Sequence, residues 1–443
     1  MEWWKDAVFY HIYPLGCLEA PARNDFQSEP VPRIRRITEF IPHIKALGCS
    51  ALYLGPVFES SGHGYDTAEY TLLDRRLGTF DDLKYLVENL HAEGIRLVLD
   101  GVFNHVGRDF WAFRDVIEKR EDSSYKGWFK NIDFRGNTPC NDGFSYEAWE
   151  GHYELVSLNL MNPEVRKHLL SVMCRLIEEV HIDGIRLDVA YLLEREFLRE
   201  LSAYARELRS DFWLLGEMIH GDYRELVQDG LCHSATNYEC FKGLYSSHND
   251  GNYFEIAWSL GRQFGRDGIY RGLDLYNFAD NHDVNRAASL LHNPRHLYPL
   301  YTILFTMPGI PSIYYGSEWG IPGGKNDNDD RPVRPSWNEI RRIDSSLPGH
   351  IALLTRLRWE HKALRFGGYR QLYLDHRQLV FARDFEKEMI VTAVNSDSRD
   401  VWIPNESEAE LTNVFDDREK IRPGDRFLLF PFGWKIFRTG GRN

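Results

Sequence analysis

The sequence predicts an α/β protein: a (β/α)8 TIM barrel with an inserted lobe after the third strand and a C-terminal antiparallel β-domain. Three observations lead there. Short apolar runs alternate with amphipathic helical stretches over most of the chain, and repeated βα units imply parallel strands joined by right-handed crossovers. Eight such runs can be counted, which favours a closed barrel over an open sheet. Hydrogen-bonding side chains gather just after several of the runs, at the barrel face where such folds carry their active sites.

Taken in order, the first strand is expected over Ala7 to Tyr13. Ile34 to Leu47 has helical spacing and stops at Gly48, a residue suited to a helix C-cap. Ala51 to Val57 is the second strand, Phe80 to Glu93 a helix ending at Gly94, and Ile95 to Val102 the third strand. Pro163 to Val180 reads as a long helix, with Asn162 as N-cap and Pro163 in the first turn. The fourth strand is Ile182 to Asp188, followed by a helix over Glu194 to Leu208 and a fifth strand over Phe212 to Gly216. Cys232 to Thr236, Leu273 to Phe278 and Ile310 to Tyr314 supply the last three.

One connection is too long for a plain βα loop. The residues between Asn104 and Pro163 lack clear periodicity and are rich in aromatics and glycine. They read as a lobe walling one side of a cleft. After a helix over Ile351 to Lys362 the pattern changes to short alternating runs separated by turn residues, the mark of antiparallel β-structure. These runs are Tyr369 to Leu374, Gln378 to Asp384, Glu388 to Asn395, Asp400 to Ile403, Arg426 to Leu429 and Gly433 to Arg438. The expected division is a barrel over residues 1–105 and 156–350, a lobe over 106–155, and a sandwich-like domain over 351–443.

Composition narrows the partners. Of 443 residues, 43% are hydrophobic, enough for a large core. The net charge of −13 disfavours a nucleic-acid partner, which needs clustered Lys and Arg. Aromatics at 14% permit stacking platforms in a cleft. The six cysteines show no C-x-x-C pairing, so neither a zinc site nor a disulfide framework is expected. Met1-Glu2-Trp3-Trp4-Lys5-Asp6 lacks the basic and apolar regions of a secretory signal, and no apolar run reaches the ~20 residues of a membrane span. A cytoplasmic protein without a membrane partner is the expectation.

The site residues come from the strand ends. In Asp183-Gly184-Ile185-Arg186-Leu187-Asp188, positions i and i+2 share a face, so Arg186 stands beside Asp188. A guanidinium at that place keeps a carboxylate ionised, either as a structural salt bridge or as part of a catalytic pair. Glu217 follows the apolar Trp213-Leu214-Leu215-Gly216, where desolvation suits a general acid. Asp100 and His105 close the third strand, His282 and Asp283 the seventh, and Tyr65 and Asp66 follow the second. Several carboxyls on one rim repel each other, which is a poor structural device and a usable chemical one.

These residues resemble the motifs of glycoside hydrolase family 13, the α-amylase family. Asp100 to His105 matches its D-x-x-x-N-H pattern, Gly184 to Asp188 its G-x-R-x-D, Gly216-Glu217 its acid motif, and Asn281-His282-Asp283 its N-H-D. All four occur in the family's order. The resemblance implies Asp188 as nucleophile, Glu217 as general acid/base and Asp283 as stabiliser of the transition state. It also implies that Arg186 holds Asp188 ionised, that His105 and His282 bond the sugar beside the scissile bond, and that Tyr65 stacks under it.

The chain also departs from the family. Many members follow the nucleophile with Lys-His, for acceptor binding and calcium; here the residues are Tyr191 and Leu192. With only Asn104 kept and no Asp-x-Asp-x-Asp loop, calcium is not expected there, and no cofactor is. The loop Gly323 to Arg331 resembles the Asp-Pro-x-x-Arg loop of neopullulanases and cyclomaltodextrinases, which implies sugar binding by Asp327 and Arg331. Those relatives commonly dimerise through an N-terminal domain. This sequence opens on the barrel, so a dimer is not carried over and the oligomeric state stays open. The implied activity is a retaining α-glucan hydrolase acting on small oligosaccharides, mainly at α-1,4 bonds in maltooligosaccharides or cyclodextrins. The alternatives are a transglycosylase or glucoside isomerase using the same residues, and a non-catalytic glucan-binding or transporter-associated relative.

Overall fold

The computed structural model describes residues 2–326 and 329–439. Eight parallel strands form one sheet, a nearly closed (β/α)8 barrel, and an antiparallel β-domain follows it. The residues group into two compact units, Ile12–Pro42 with Ser50–Ala235, and Glu2–His11 with His43–Cys49 and Thr236–Asn443.

The first unit carries the second to sixth barrel strands: Ala51–Leu54, Arg96–Gly101, Gly184–Leu187, Trp213–Gly216 and Ser234–Ala235. Four of them are buried along their whole length and the fifth, Arg96–Gly101, in all but its first residue. Burial on both faces is why they read as apolar runs rather than alternating ones. Their register sets the site: Asp100 lies level with Arg186, and Arg186 level with Leu215. Asp188 and Glu217 therefore stand one residue beyond neighbouring strand ends.

The helices of this unit follow their caps. Phe80–Ala92 starts from a Thr79/Asp82 capping box, and Pro163–Arg175 from Asn162, whose side chain accepts from the Glu164 N–H. The expected helix to Val180 exists, but its last turn, Leu176–Val180, widens to π geometry and ends at His181 in the left-handed region. The stretch expected as a helix over Ile34 to Leu47 is a 3-10 helix, Arg33–Phe40, running into a short α-helix, Ile41–Ala46. The long connection holds a three-stranded antiparallel sheet of His105–Gly107, His152–Ser157 and Ala148–Trp149, and a helix, Trp111–Lys119, inside the lobe whose sequence lacks clear periodicity.

The second unit carries the first, seventh and eighth strands, Phe9–Ile12, Tyr276–Phe278 and Ile310–Tyr314, with Tyr10 level with Ile313 and Asn277 with Pro311. Its helices Tyr238–Asn249, Phe254–Phe264 and Leu297–Thr306 were not expected from the sequence. Beyond Leu347–Glu360, six antiparallel strands run in the order Gly368–Asp375, Gln378–Phe385, Glu388–Asn395, Trp434–Thr439, Leu411–Asn413, Asp416–Ile421. A second, two-stranded sheet pairs Val401–Pro404 with Arg426–Leu429. Val391, Ala393 and Phe437 of the first sheet pack on Ile403, Phe427 and Leu429 of the second, the arrangement of a small sandwich.

One glycine of the G-x-R-x-D run is there for space. A Cβ on Gly184 would stand 2.7 Å from the Trp213 carbonyl oxygen and 3.3 Å from Val98 Cγ2, with a strand on either side and no room to shift. We expect Gly184→Ala to lower stability by about 1–3 kcal/mol, as overpacking does, read as a lower urea midpoint. An unchanged midpoint would show that the barrel absorbs the methyl group.

Candidate active site

The first unit gathers its strand-end acids around one guanidinium. Arg186 lies at the centre of the fourth strand with both flanks apolar, so its side chain enters a buried cluster of acids. Nη1 donates to Asp100 Oδ1 at 2.8 Å and to Asp188 Oδ1 at 2.7 Å; Nη2 reaches Glu217 Oε1 at 2.7 Å. Side-chain exposure is 3% for Arg186, 0% for Asp100, 8% for Asp188 and 4% for Glu217. Burial works against the cation, but the surrounding Asp100, Glu217 and Asp188 outweigh it and hold the guanidinium well above its ordinary value.

Each carboxyl has further partners. Asp100 Oδ2 accepts from Tyr53 Oη at 2.9 Å and from Tyr65 Oη at 2.8 Å. Glu217 Oε2 accepts from the Val189 N–H at 2.9 Å. That amide is aimed by an unfavourable backbone: Val189 sits at φ 39°, ψ 46°, left-handed and costly for a β-branched side chain. His105 Nε2 is 3.9 Å from Asp188 Oδ2, too far for a hydrogen bond. Its Nδ1 pairs with the Asn104 amide nitrogen at 3.2 Å, which leaves the ring proton on Nε2. Burial pushes His105 down to about 3, so the ring is neutral.

Asp66 is buried in its own turn, accepting from the Gly64 N–H at 3.1 Å, and the Tyr65 ring stacks on His63 at 6.1 Å. Tyr191 Oη stands 3.4 Å from Glu150 Oε1 of the lobe; burial first, then Glu150 and Glu217, push the phenol up to about 12. Leu192 is 40% exposed and offers no ligand. Among the described residues, no group of three or more His, Cys, Asp or Glu is placed to hold a metal ion.

The second unit carries Asn281-His282-Asp283. The Asp283 N–H donates to Asn281 Oδ1 at 2.8 Å, and His282 Nε2 lies 2.9 Å from Asp283 Oδ2. His282 packs edge-on against His11 at 5.2 Å. Arg334 was not singled out from the sequence. Its Nη2 reaches Asp283 Oδ1 and Asp330 Oδ2, both at 3.2 Å, and its Nε donates to the His282 carbonyl at 3.1 Å. Arg331, expected to bind sugar, points outward with its side chain 89% exposed and pairs with Asp329 at 2.8 Å. Asp327 lies outside the described residues. Asp330 and Arg334 repeat the four-residue spacing of the expected pair, and that spacing is the signal that could have found them.

Two outcomes follow from this geometry. Arg186→Met leaves three buried carboxyls without their cation, and we expect a loss of about 3–5 kcal/mol, measured as a fall in the urea midpoint; a loss below 1 kcal/mol would deny the guanidinium its central role. His105 binds a proton in the unfolded chain below about pH 6.5 but in the folded chain only near its depressed value of about 3. Stability should therefore fall as pH drops from about 6.5 towards 3. His105→Gln should give a shallower slope of urea midpoint against pH over that window, and an identical slope would count against a buried neutral ring.

Comparison with known proteins agrees with the motifs. Residues 31–346 match the family described as alpha amylase, catalytic domain. A cyclomaltodextrinase of Bacillus sp is 30% identical over 418 residues, covering 89% of this chain and 73% of the relative. Neopullulanase 2 of Thermoactinomyces vulgaris is 31% identical over 403 residues, covering 86% of this chain and 67% of that one. Among solved structures, the cyclic α-maltosyl-(1→6)-maltose hydrolase of Arthrobacter globiformis, in complex with its cyclic sugar, is similar at a TM-score of 0.85 and 29% identity, over 99% of both chains. With two thirds of its length matched by the family and its catalytic motifs in order on one barrel, this chain belongs to the α-amylase family and is a glycoside hydrolase of that family.

Proposed function

We propose that the protein is a retaining α-glucan hydrolase that cleaves mainly α-1,4 bonds in maltooligosaccharides or cyclodextrins. The observation that carries this reading is the shared guanidinium: one Arg186 side chain binds Asp188 and Glu217 at 2.7 Å each. Two carboxyls held on one such group suit the close spacing of retaining enzymes, ~5–5.5 Å, better than the ~6.5–9.5 Å that admits a water between them. Relatives named as cyclomaltodextrinases and maltogenic amylases support the substrate class.

In this mechanism Asp188 attacks the anomeric carbon while Glu217 gives a proton to the leaving oxygen, so the glycosidic C–O bond breaks as the Asp188 ester forms. Water, deprotonated by Glu217, then displaces Asp188 and restores the α configuration. Arg186 keeps Asp188 available as an anion. Asp283 supports the sugar hydroxyls as charge develops, with His282 and Arg334 fixing its two oxygens. In this reading the His105 Nε2–H donates to a sugar hydroxyl and Tyr65 presents its ring. Beside the expected pair Asp327 and Arg331, Asp330 with Arg334 is a second Asp and Arg pair suited to sugar hydroxyls.

The test is turnover of β-cyclodextrin, maltotriose and pullulan. Early α-anomeric product, seen by NMR, supports the reading; β-anomeric product sinks it. Glu217→Gln should lower kcat on β-cyclodextrin by roughly 10²–10⁴-fold, and full activity in Asp188→Asn would remove the nucleophile.

A further inference from the structure

The lobe ends in a hairpin that the mechanism above does not use. Ala148–Trp149 and His152–Ser157 pair with Trp149 opposite His152, leaving Glu150-Gly151 as a two-residue turn. Both turn residues lie at positive φ, 46° and 86°, the type I′ pattern. That turn favours Asn, Asp or Gly at its first position, and a glutamate there is costly. A strained residue that persists is held by something else.

The side chains say what holds it. Glu150 Oε1 faces Tyr191 Oη at 3.4 Å, three residues after Asp188. The gap is longer than a good O–H···O bond, so both groups keep capacity for another partner. On the same hairpin the Trp149 ring lies 5.8 Å from the His105 ring and stacks on His152 at 5.3 Å. Two buried ring nitrogens at this spot, Trp149 Nε1 and His105 Nε2, have no hydrogen-bond partner among the described residues. Both carry a proton. A buried N–H without an acceptor is costly, and one on each of two neighbouring rings, His105 Nε2 standing 3.9 Å from Asp188 Oδ2, makes a place for hydroxyl oxygens.

We propose that the hairpin tip is a specificity-determining part of the site: Trp149 Nε1–H donates to a sugar hydroxyl beside the one bound by His105, and the Glu150–Tyr191 contact latches the lobe hairpin to the loop after the nucleophile. The ligand class is an α-glucan, so the inference rests on the function proposed above. Glu150 is the positioning residue and Trp149 the one that touches substrate.

The experiment separates the two readings by measuring binding without turnover. In an Asp188→Asn background, β-cyclodextrin affinity is measured by calorimetry with and without Trp149→Phe, which keeps a ring on both histidines and removes the N–H. Loss of one neutral hydrogen bond should weaken Kd roughly 3–10-fold, with Tm unchanged. With Asp188 restored, the same substitution should raise KM and leave kcat. Glu150→Asn relieves the turn, so Tm should stay level or rise while kcat/KM falls several-fold.

Unchanged affinity and KM on Trp149→Phe overturn the proposal. So does a fall in Tm on Glu150→Asn in step with activity, which marks a purely structural turn. A wild-type chain that binds β-cyclodextrin through Trp149 yet never cleaves it would instead remove the hydrolase reading and keep this one.

Discussion

The site depends on a cation buried where water cannot reach it. Asp100, Asp188 and Glu217 come from three neighbouring strands, Asp100 level with Arg186 and the other two just past the ends of their strands. Without Arg186 the three would repel one another strongly in that environment. With it, each carboxyl is pinned by an N–H of fixed direction. An ammonium on a flexible stem could not serve three acids at once from a planar fork. The cation thus fixes where the oxygens of the cluster stand.

Around that centre the chain accepts local cost for position. Val189 takes a left-handed backbone to turn its amide to Glu217, and Gly184 gives up a side chain so that the strand can sit against Trp213. Tyr53 and Tyr65 spend their hydroxyls on Asp100, the one acid with no assigned chemistry, and so fix the back of the cluster. In the second unit Asp283 is treated differently. It is a third exposed, and His282 and Arg334 each take one of its oxygens. Its two oxygens are oriented by partners rather than by burial.

Much of this was legible from residues. Barrel strands buried on both faces leave plain apolar runs, and the carboxyls just after them were visible as breaks in that pattern. The helices Tyr238–Asn249 and Phe254–Phe264 were not, because His248, Gln263 and several serines on their inner faces blur the helical period. Leu297–Thr306 is apolar all round and has no face to read. Asp416–Ile421 is a charged edge strand, which hides its β character. In the site, two Asp and Arg pairs of equal spacing overlap between residues 327 and 334, and only the fold shows which guanidinium meets Asp283. Tyr53 read as core because its ring is core; only its hydroxyl is not.

The acid cluster also sets which small molecules could block the pocket. Three carboxyls surround one guanidinium, so acids outnumber the base in this cluster. A ring-shaped amine, protonated where the sugar carries its developing positive charge, would be drawn to that spot. A uronic acid or sugar phosphate of the same outline would meet like charge instead. The excess of acids over Arg186 therefore gives the cluster a polarity that sorts charged ligands before shape does.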